Sequence, residues 1–342
     1  MEHKVKFHGT GKEYFGIWIV NIILTILTIG IYSAWAKVRT NRYFYGNTYI
    51  DNHPFEYHAK PMQILIGRVI VVVALVVLNV ISQVNPFFAL PVFVIYIVAL
   101  PWLVCRGLRF SRRVTSYRNV RFDFVGDYGG AFWALILLPL LNVFTLFLIT
   151  PYTSRAIARY VGNNTRYGDR PVNVDVPVGP LYKVLAVGLT LIFIMVGFAL
   201  FTAVPFFRDG LTPGALNAVS VAFIPIFMLL YVVAIVLSLI YGATLRNLTF
   251  NNMSVDAKHT FKSTVKPWSY VGVVVTNFLL VAVTLGLGAP WARVRITNYL
   301  ADNTSLIAAG PLDDYTSQIR AETGVIGEEY MDVGGVDIGA AI

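Results

Sequence analysis

Charged residues are clustered along this chain, and they leave six long stretches without Asp, Glu, Lys or Arg. The stretches cover residues 14–36, 69–105, 128–154, 184–207, 210–245 and 267–292, which is about half of the 342 residues. A helix that spans a bilayer needs about 20 apolar residues, so each stretch is long enough for one or two crossings. The pattern therefore predicts a polytopic membrane protein built of helices.

Turn residues divide the longest stretch at Asn85-Pro86, and the turns Asp209-Gly210 and Thr212-Pro213-Gly214 precede the segment in the second-longest stretch. The division leaves seven apolar segments, at about 15–33, 63–83, 87–105, 131–150, 182–204, 217–241 and 268–289. The composition agrees, since 56% of the residues are hydrophobic and only 13% are charged, against about 25% charged in a soluble protein. We expect an all-α polytopic membrane protein with seven membrane segments.

Two topologies fit these segments, one with seven crossings of the bilayer and one with four. If all seven cross, Lys and Arg are divided almost evenly between the two sides, which fits poorly with the positive-inside rule. If segments 15–33, 131–150 and 268–289 enter and leave on one side, only four cross, and every Lys and Arg except Arg208 falls on one face. Segment length favours seven crossings, because re-entrant backbone must be buried in protein or line water. The distribution of charge favours four.

An internal repeat organises the chain. Residues 34–48 align without a gap with residues 290–304, and residues 151–165 form a weaker copy that keeps an aromatic residue near the start and the Asn-Thr ending. We predict three copies of one module interleaved with two helical hairpins and followed by a tail. The modules cover 1–60, 107–180 and 244–305, the hairpins cover 61–106 and 181–243, and the tail covers 306–342.

Basic residues follow an aromatic residue at the end of the first and third repeated segments. Aromatic belts and Lys or Arg side chains that extend to the headgroups produce this order at a bilayer interface. We predict contacts with lipid phosphates, and a generic positive-inside anchor explains the same pattern. The residues concerned are Trp35, Lys37, Arg39, Arg42, Trp291, Arg293 and Arg295.

Three motifs resemble the YjgN family of bacterial inner-membrane proteins. They are FHGTGKEYFG at residues 7–16, GIYSAWAKVR at residues 30–39 and HPFEYH at residues 53–58. The likeness extends over most of residues 5–305. It implies a multi-pass protein of the cytoplasmic membrane of a Gram-negative bacterium. Because the family has no assigned function, the resemblance implies no activity and no catalytic residue.

Amides and hydroxyls are the polar groups of the uncharged stretches. Asn21, Thr25 and Thr28 lie on one predicted helix face, and Asn277 and Thr284 repeat the outer two positions. Hydrogen bonds between helices are one explanation of such a face, and a path for a small solute is the other. The candidate residues are Asn21, Thr25, Thr28, Asn142, Thr145, Asn277 and Thr284.

Catalytic chemistry has little support in the sequence. His53, Glu56 and His58 are a weak candidate for a metal site, because they lack a fourth ligand, and they are equally explained as polar loop residues. The single cysteine, Cys105, excludes an internal disulfide and a multi-cysteine zinc site. We therefore expect no cofactor and no enzymatic activity.

The tail differs in charge from the rest of the chain. Residues 301–342 hold eight acidic residues and one basic residue, and such a segment is predicted to be disordered unless it docks on the protein's own basic loops.

Two functions fit these features. The first is passage of a small solute, uncoupled or weakly coupled, along the polar helix faces. The alternative is a non-enzymatic protein that organises the membrane or binds anionic lipid. The expected partner is the bilayer and its anionic phospholipids. Nucleic acid is not expected, because the basic clusters border membrane segments.

Overall fold

A computed structural model of the protein describes residues 1–208 and 213–319. Eleven short strands form one antiparallel sheet, whose spatial order is β1-β11-β10-β9-β8-β7-β6-β5-β4-β3-β2. Its two ends, β1 and β2, are consecutive in the chain and are separated only by Val5, so the sheet is nearly closed into a barrel. We call it the strand ring. The strands are β1 (Glu2–Lys4), β2 (Lys6–Phe7), β3 (Thr48–Ile50), β4 (His53–Tyr57), β5 (Thr115–Tyr117), β6 (Val120–Phe124), β7 (Thr165–Tyr167), β8 (Arg170–Val174), β9 (Met253–Val255), β10 (His259–Ser263) and β11 (Thr304–Ile307).

The ring shows that the expected all-α fold is wrong. Its strands are two to five residues long and lie in the polar connections between apolar segments, so they hold too few alternating positions for a period of two to be recognised. Tight turns join them in pairs, and three of these turns have two consecutive residues at positive φ: Asp51-Asn52, Arg118-Asn119 and Asp256-Ala257. Such type I′ turns match the right-handed twist of the strands that they connect.

Within the described residues, five helical pairs leave the ring and return to it. Each pair follows one strand of the ring and precedes another. Neighbouring pairs also contact each other, including the fifth and the first through α11 and α1. The pairs are α1 (Gly11–Leu27) with α2 (Ser33–Gly46); α3 (Pro61–Val84) with α4 (Ala89–Arg113); α5 (Tyr128–Ala131), a π-helical turn (Phe132–Leu137) and α6 (Leu138–Phe144) with α7 (Thr150–Asn163); α8 (Gly179–Arg208) with α9 (Pro213–Asn251); and α10 (Pro267–Val283) with α11 (Ala289–Asp302).

An asparagine amide ends four of the five returning helices. In each case the side-chain Nδ2 donates to the carbonyl oxygen four residues earlier, at 2.8 Å, and a strand of the ring follows. The bond satisfies one of the carbonyl groups that a helix end leaves without a partner. The four residues are Asn47, Asn164, Asn252 and Asn303.

Among the described residues, four helices, not seven, are long and apolar enough to span a bilayer: Pro61–Gln83, Ala89–Arg113, Gly179–Phe201 and Phe223–Asn251. The other predicted segments give α1, Tyr128–Phe144 and α10, each of 17 residues, which corresponds to about 25 Å of helix against a hydrocarbon core of about 30 Å. The prediction of seven membrane segments is therefore wrong.

The ring explains why the crossings are even in number. Both ends of every helical pair are attached to one continuous sheet, so a pair that enters the membrane must return to the same side. Each long pair holds two helices that are long and apolar enough to cross, one outward and one back. Each short pair holds one apolar helix of 17 residues and one basic helix of 14 residues. Among the described residues, all Lys and Arg except Arg208 then lie at the ring end of the long helices, in the short pairs or in the ring.

A short helix at residues 312–319 covers the ring. Leu312, Thr316 and Ile319 are buried. The centroids of the aromatic side chains of Tyr315 and His259 lie 4.2 Å apart. These residues belong to the segment that was predicted to be a disordered tail, and this part of it is folded. The remainder, residues 320–342, lies outside the described residues.

One buried cation, Arg118, connects the strand ring to the short helix at residues 312–319. The Arg118 side chain is only 3% exposed and donates to the carboxylates of Asp51, in the β3–β4 turn, and Asp313, in the covering helix. Its Nε also donates to Tyr117 OH at 3.2 Å. Asp51 in turn lies 3.0 Å from His3 Nδ1. A charge this deeply buried is tolerated because it is paired and hydrogen-bonded.

Labelling of single cysteines tests the four-crossing topology. Cys105 is first replaced by alanine, and cysteine is then placed at Asn119 in the ring, Ile31 at the α1–α2 turn or Phe87 at the α3–α4 turn. The positive-inside rule puts the ring in the cytoplasm. A membrane-impermeant maleimide added to intact spheroplasts should therefore label only Phe87→Cys, and lysis should expose Asn119→Cys. Labelling of Ile31→Cys from outside would contradict the topology.

Removal of the buried cation should destabilise the fold. Arg118→Met removes the hydrogen bonds to Asp51 and Asp313, whose carboxylates are 31% and 78% exposed and can be solvated. We therefore expect the free energy of unfolding to fall by about 1–2 kcal/mol, measured by denaturant titration in detergent. Arg121→Met, at an exposed position on β6, is the matched control and should change it by no more than about 0.5 kcal/mol. Equal stability of the two variants would show that the Arg118 pairs contribute nothing.

Candidate functional site

A cavity of about 800 Å³ lies against the first helical pair. Its walls come from α1 and α2, from Arg68 of α3, and from Ala289 and Arg293 of α11. Binding sites for small molecules typically have volumes of about 300–1,000 Å³. The cavity is therefore large enough to hold a small molecule or the headgroup of a lipid.

Three cations converge on the cavity from three helical pairs: Lys37, Arg68 and Arg293. Arg68 Nη1 donates to Ser33 Oγ at 2.5 Å, and Arg293 Nη1 donates to Tyr14 OH at 3.0 Å. No Asp or Glu is among the described residues that line the cavity. The lining thus carries a formal charge of three positive units that no lining carboxylate offsets, which favours an anionic ligand.

An apolar stripe forms another part of the wall. Trp18, Ile22 and Ile26 follow one another at intervals of four residues on α1, so they lie on one helix face. The amide and hydroxyl groups of Asn21, Thr25, Thr40 and Asn41 line the cavity beside this stripe. The cavity therefore combines a cationic part with an aliphatic part, as a site for an amphipathic anion requires.

Stacked tyrosines support the end of the cavity nearest the ring. Tyr14 is 2% exposed and its ring stacks on Tyr43 at 5.5 Å. Tyr43 OH lies 2.9 Å from the Thr10 carbonyl oxygen and 3.1 Å from Glu13 Oε2, and burial together with the Glu13 carboxylate raises the pKa of Tyr43. Its phenol therefore stays protonated, and the fixed Tyr14 hydroxyl orients Arg293.

The predicted polar residues form hydrogen bonds inside their own helical pairs. Asn21 Nδ2 donates to the Ala36 carbonyl at 3.4 Å, and Asn277 Nδ2 donates to the Ala292 carbonyl at 3.0 Å. The threonine hydroxyls donate to backbone carbonyls of the preceding helical turn, at 2.6–3.0 Å for Thr25, Thr28, Thr145 and Thr284. Asn142 Oδ1 accepts from Thr150 Oγ1 at 3.4 Å. Asn21 and Thr25 line the cavity, whereas the candidates of the third and fifth pairs do not.

The predicted phosphate-binding residues are divided in the same way. Lys37 and Arg293 line the cavity. The other five lie elsewhere on α2 and α11. On α2, Trp35 packs against a buried cluster that includes Ala34 and Val38, Arg39 donates to Tyr32 OH at 3.2 Å, and Arg42 donates to the Ala59 carbonyl at 3.4 Å. On α11, the aromatic ring centroid of Trp291 lies 5.1 Å from that of Phe15, and Arg295 is exposed.

The weak metal candidate is not assembled into a site. Glu56 Oε2 lies 3.3 Å from His58 Nε2, and both atoms contact Ser116 Oγ. His53 lies three residues before Glu56 on the same strand, so the two point to opposite faces, and its Nδ1 contacts the Asp51 carbonyl. Among the described residues, no group of three His, Cys, Asp or Glu side chains is arranged to hold a metal ion.

Sequence reasoning missed Arg68, Ser33 and Tyr14 as cavity residues. Arg68 had a recognisable signal, because it is the only charged residue within the 23-residue span Pro61–Gln83, and ionisable groups at such positions often mark functional sites. Ser33 and Tyr14 had none, since their roles depend on contacts with α3 and α11 that only the closed fold creates.

These features define a class: a multi-pass membrane protein in which a nearly closed strand ring holds helical pairs of two lengths. The chain belongs to the family described as "Bacterial protein of unknown function (DUF898)", whose pattern matches residues 2–333. The inner membrane protein YjgN of Salmonella typhimurium (strain LT2) is 27% identical over 359 aligned residues, which cover 91% of this chain and 89% of the relative. The protein of the same name from Escherichia coli (strain K12) is 26% identical over 362 residues, covering 91% and 90%.

These relatives confirm the resemblance to the YjgN family and the predicted location. With its four apolar helices, the protein is a multi-pass protein of the bacterial inner membrane. No solved structure matches the chain.

Proposed function

We propose that the protein binds anionic phospholipid in the cavity beside its first helical pair. The observation that carries the proposal is the convergence of Lys37, Arg68 and Arg293 from three separate helical pairs on one cavity. Such a group of cations costs electrostatic energy in the empty protein, and a bound phosphate offsets that repulsion. The role is one of binding, and it requires no catalytic step.

The apolar stripe supports a lipid as the source of the phosphate. Ile26 is 71% exposed near the far end of α1, where an acyl chain can lie along it and along Ile22. The cations provide the polar end of the same site. A soluble anion would use the cations and leave the stripe without a function.

Passage of a small solute is not part of the proposal. The polar residues from which it was predicted donate hydrogen bonds to their own helical pairs, which is the role of polar residues in contacts between membrane helices. Residues 312–319 also cover the ring. Solute passage therefore stays a prediction without support from the described residues.

We also propose that the first and third modules arose by duplication. With the offset of 256 residues, the bond from Asn21 to Ala36 has a counterpart from Asn277 to Ala292. In the same way, the backbone amide that donates to Thr28 Oγ1 has a counterpart that donates to Thr284 Oγ1. These matched hydrogen bonds support the internal repeat that the sequence predicts.

Neutralisation of the cavity cations tests lipid binding. A triple variant with Lys37→Gln, Arg68→Gln and Arg293→Gln should bind phosphatidylglycerol about 100-fold more weakly, because each basic residue contributes about 1 kcal/mol to attraction at an anionic surface. Retention of the lipid in native mass spectrometry, and affinity in nanodiscs of graded phosphatidylglycerol content, measure the change.

A matched triple variant separates the cavity from general attraction to the membrane. Lys12→Gln, Arg39→Gln and Arg295→Gln remove three exposed charges from α1, α2 and α11, three helices that contribute to the cavity, at positions outside its lining. This control should retain lipid nearly as the wild type does. Equal losses in the two variants would mean that the basic residues act only as a general anchor, and the proposed site would be wrong.

A further inference from the structure

Asn21 lines the cationic cavity, and its side chain contains a buried acceptor without a described partner. Asn21 is 6% exposed, and its Nδ2 donates to the Ala36 carbonyl and, at 3.5 Å, to Thr40 Oγ1. Its Oδ1 is buried and has no hydrogen-bond partner among the described residues. A buried amide oxygen normally accepts at least one hydrogen bond, so a donor supplied by the ligand would complete this site.

Asn21 contacts the same part of α2 that carries or holds two of the cations. Asn21 contacts α2 at Ala36, whose neighbour Lys37 lines the same cavity, and Ser33, which holds Arg68, is one helical turn away from Ala36. A ligand that meets both groups therefore carries a phosphate and, within the length of one headgroup, a hydrogen-bond donor.

The charge of the cavity decides the kind of donor. An ammonium donor, as in phosphatidylethanolamine, would add a positive charge to a lining that already holds Lys37, Arg68 and Arg293 and no carboxylate. A hydroxyl donates without adding charge. We infer that the cavity is selective for phospholipids whose headgroup is a glycerol phosphodiester, with Asn21 Oδ1 accepting from a glycerol hydroxyl; this inference rests on the proposed lipid-binding function.

Two lipids that differ only in this respect provide the test. Phosphatidylglycerol and phosphatidylethanol are both phosphodiesters with one negative charge, and only the first has headgroup hydroxyls. In competition on the wild-type protein, followed by native mass spectrometry, phosphatidylglycerol should be preferred about fivefold, the effect of one added hydrogen bond. Soluble glycerol 1-phosphate should not displace it at equal concentration.

Asn277 offers a matched control for Asn21. It is 7% exposed, donates to the corresponding carbonyl of its own pair and also has an Oδ1 without a described partner, but it does not line the cavity. Asn21→Leu should reduce the ratio of the two retained lipids to about one, whatever the total amount of lipid that the variant retains. Asn277→Leu should leave the preference unchanged.

The outcomes separate this inference from the proposed function. If the wild type retains neither lipid above a phosphatidylcholine background, lipid binding itself is wrong. If it retains both equally, or if Asn277→Leu removes the preference as Asn21→Leu does, only the selectivity for a glycerol headgroup is wrong. Displacement by glycerol 1-phosphate would overturn the assignment to a lipid. The comparison of lipids on the wild type needs no variant, so it holds even if Asn21→Leu fails to fold.

Discussion

Pairing of the strands around the ring is the constraint on which the rest of the structure depends. Because β1 and β2 are separated by a single residue, the sheet returns to its own start and attaches every helical pair at both ends. Attachment at both ends brings each pair back to the side from which it left. It also sets neighbouring pairs side by side, so that side chains of α2, α3 and α11 reach one cavity.

Closure also explains how such short strands are stable. A two-stranded hairpin is marginal on its own in water, and an exposed strand edge is open to pairing with other chains. In the ring, each five-residue strand pairs with its hairpin partner at one end and with the neighbouring hairpin at the other, as β4 does with β3 and then β5. The apolar core of the ring, closed by Leu312 and Ile319, adds the burial that the strands lack individually.

The sequence predicts the parts of this protein that depend on local composition. Long apolar stretches include the four helices that are long enough to span a bilayer, but they also predict three segments that are too short to do so. The distribution of Lys and Arg favours the smaller number of crossings. The pattern of an aromatic residue followed by basic residues identifies Lys37 and Arg293 as candidate phosphate-binding residues. The ring and the cavity depend instead on residues far apart in the chain: Arg293 meets Tyr14 across 279 positions, and Arg68 meets Ser33 only because α3 packs on α2. No local pattern encodes such contacts.

The proposed lipid site depends on the different composition of the two helices of the first pair. Helix α1 is apolar over most of its length, whereas α2 carries Lys37, Arg39 and Arg42, so the pair is stable only where hydrocarbon and headgroups meet. In the proposed lipid site, acyl chains would lie along α1 and the phosphate would lie along α2. A spanning pair, with both helices apolar, could not produce this combination, since its basic residues lie only at the ends. The combination of one short apolar helix with one basic helix in the first pair therefore supports the proposal that its cavity binds an amphipathic anion.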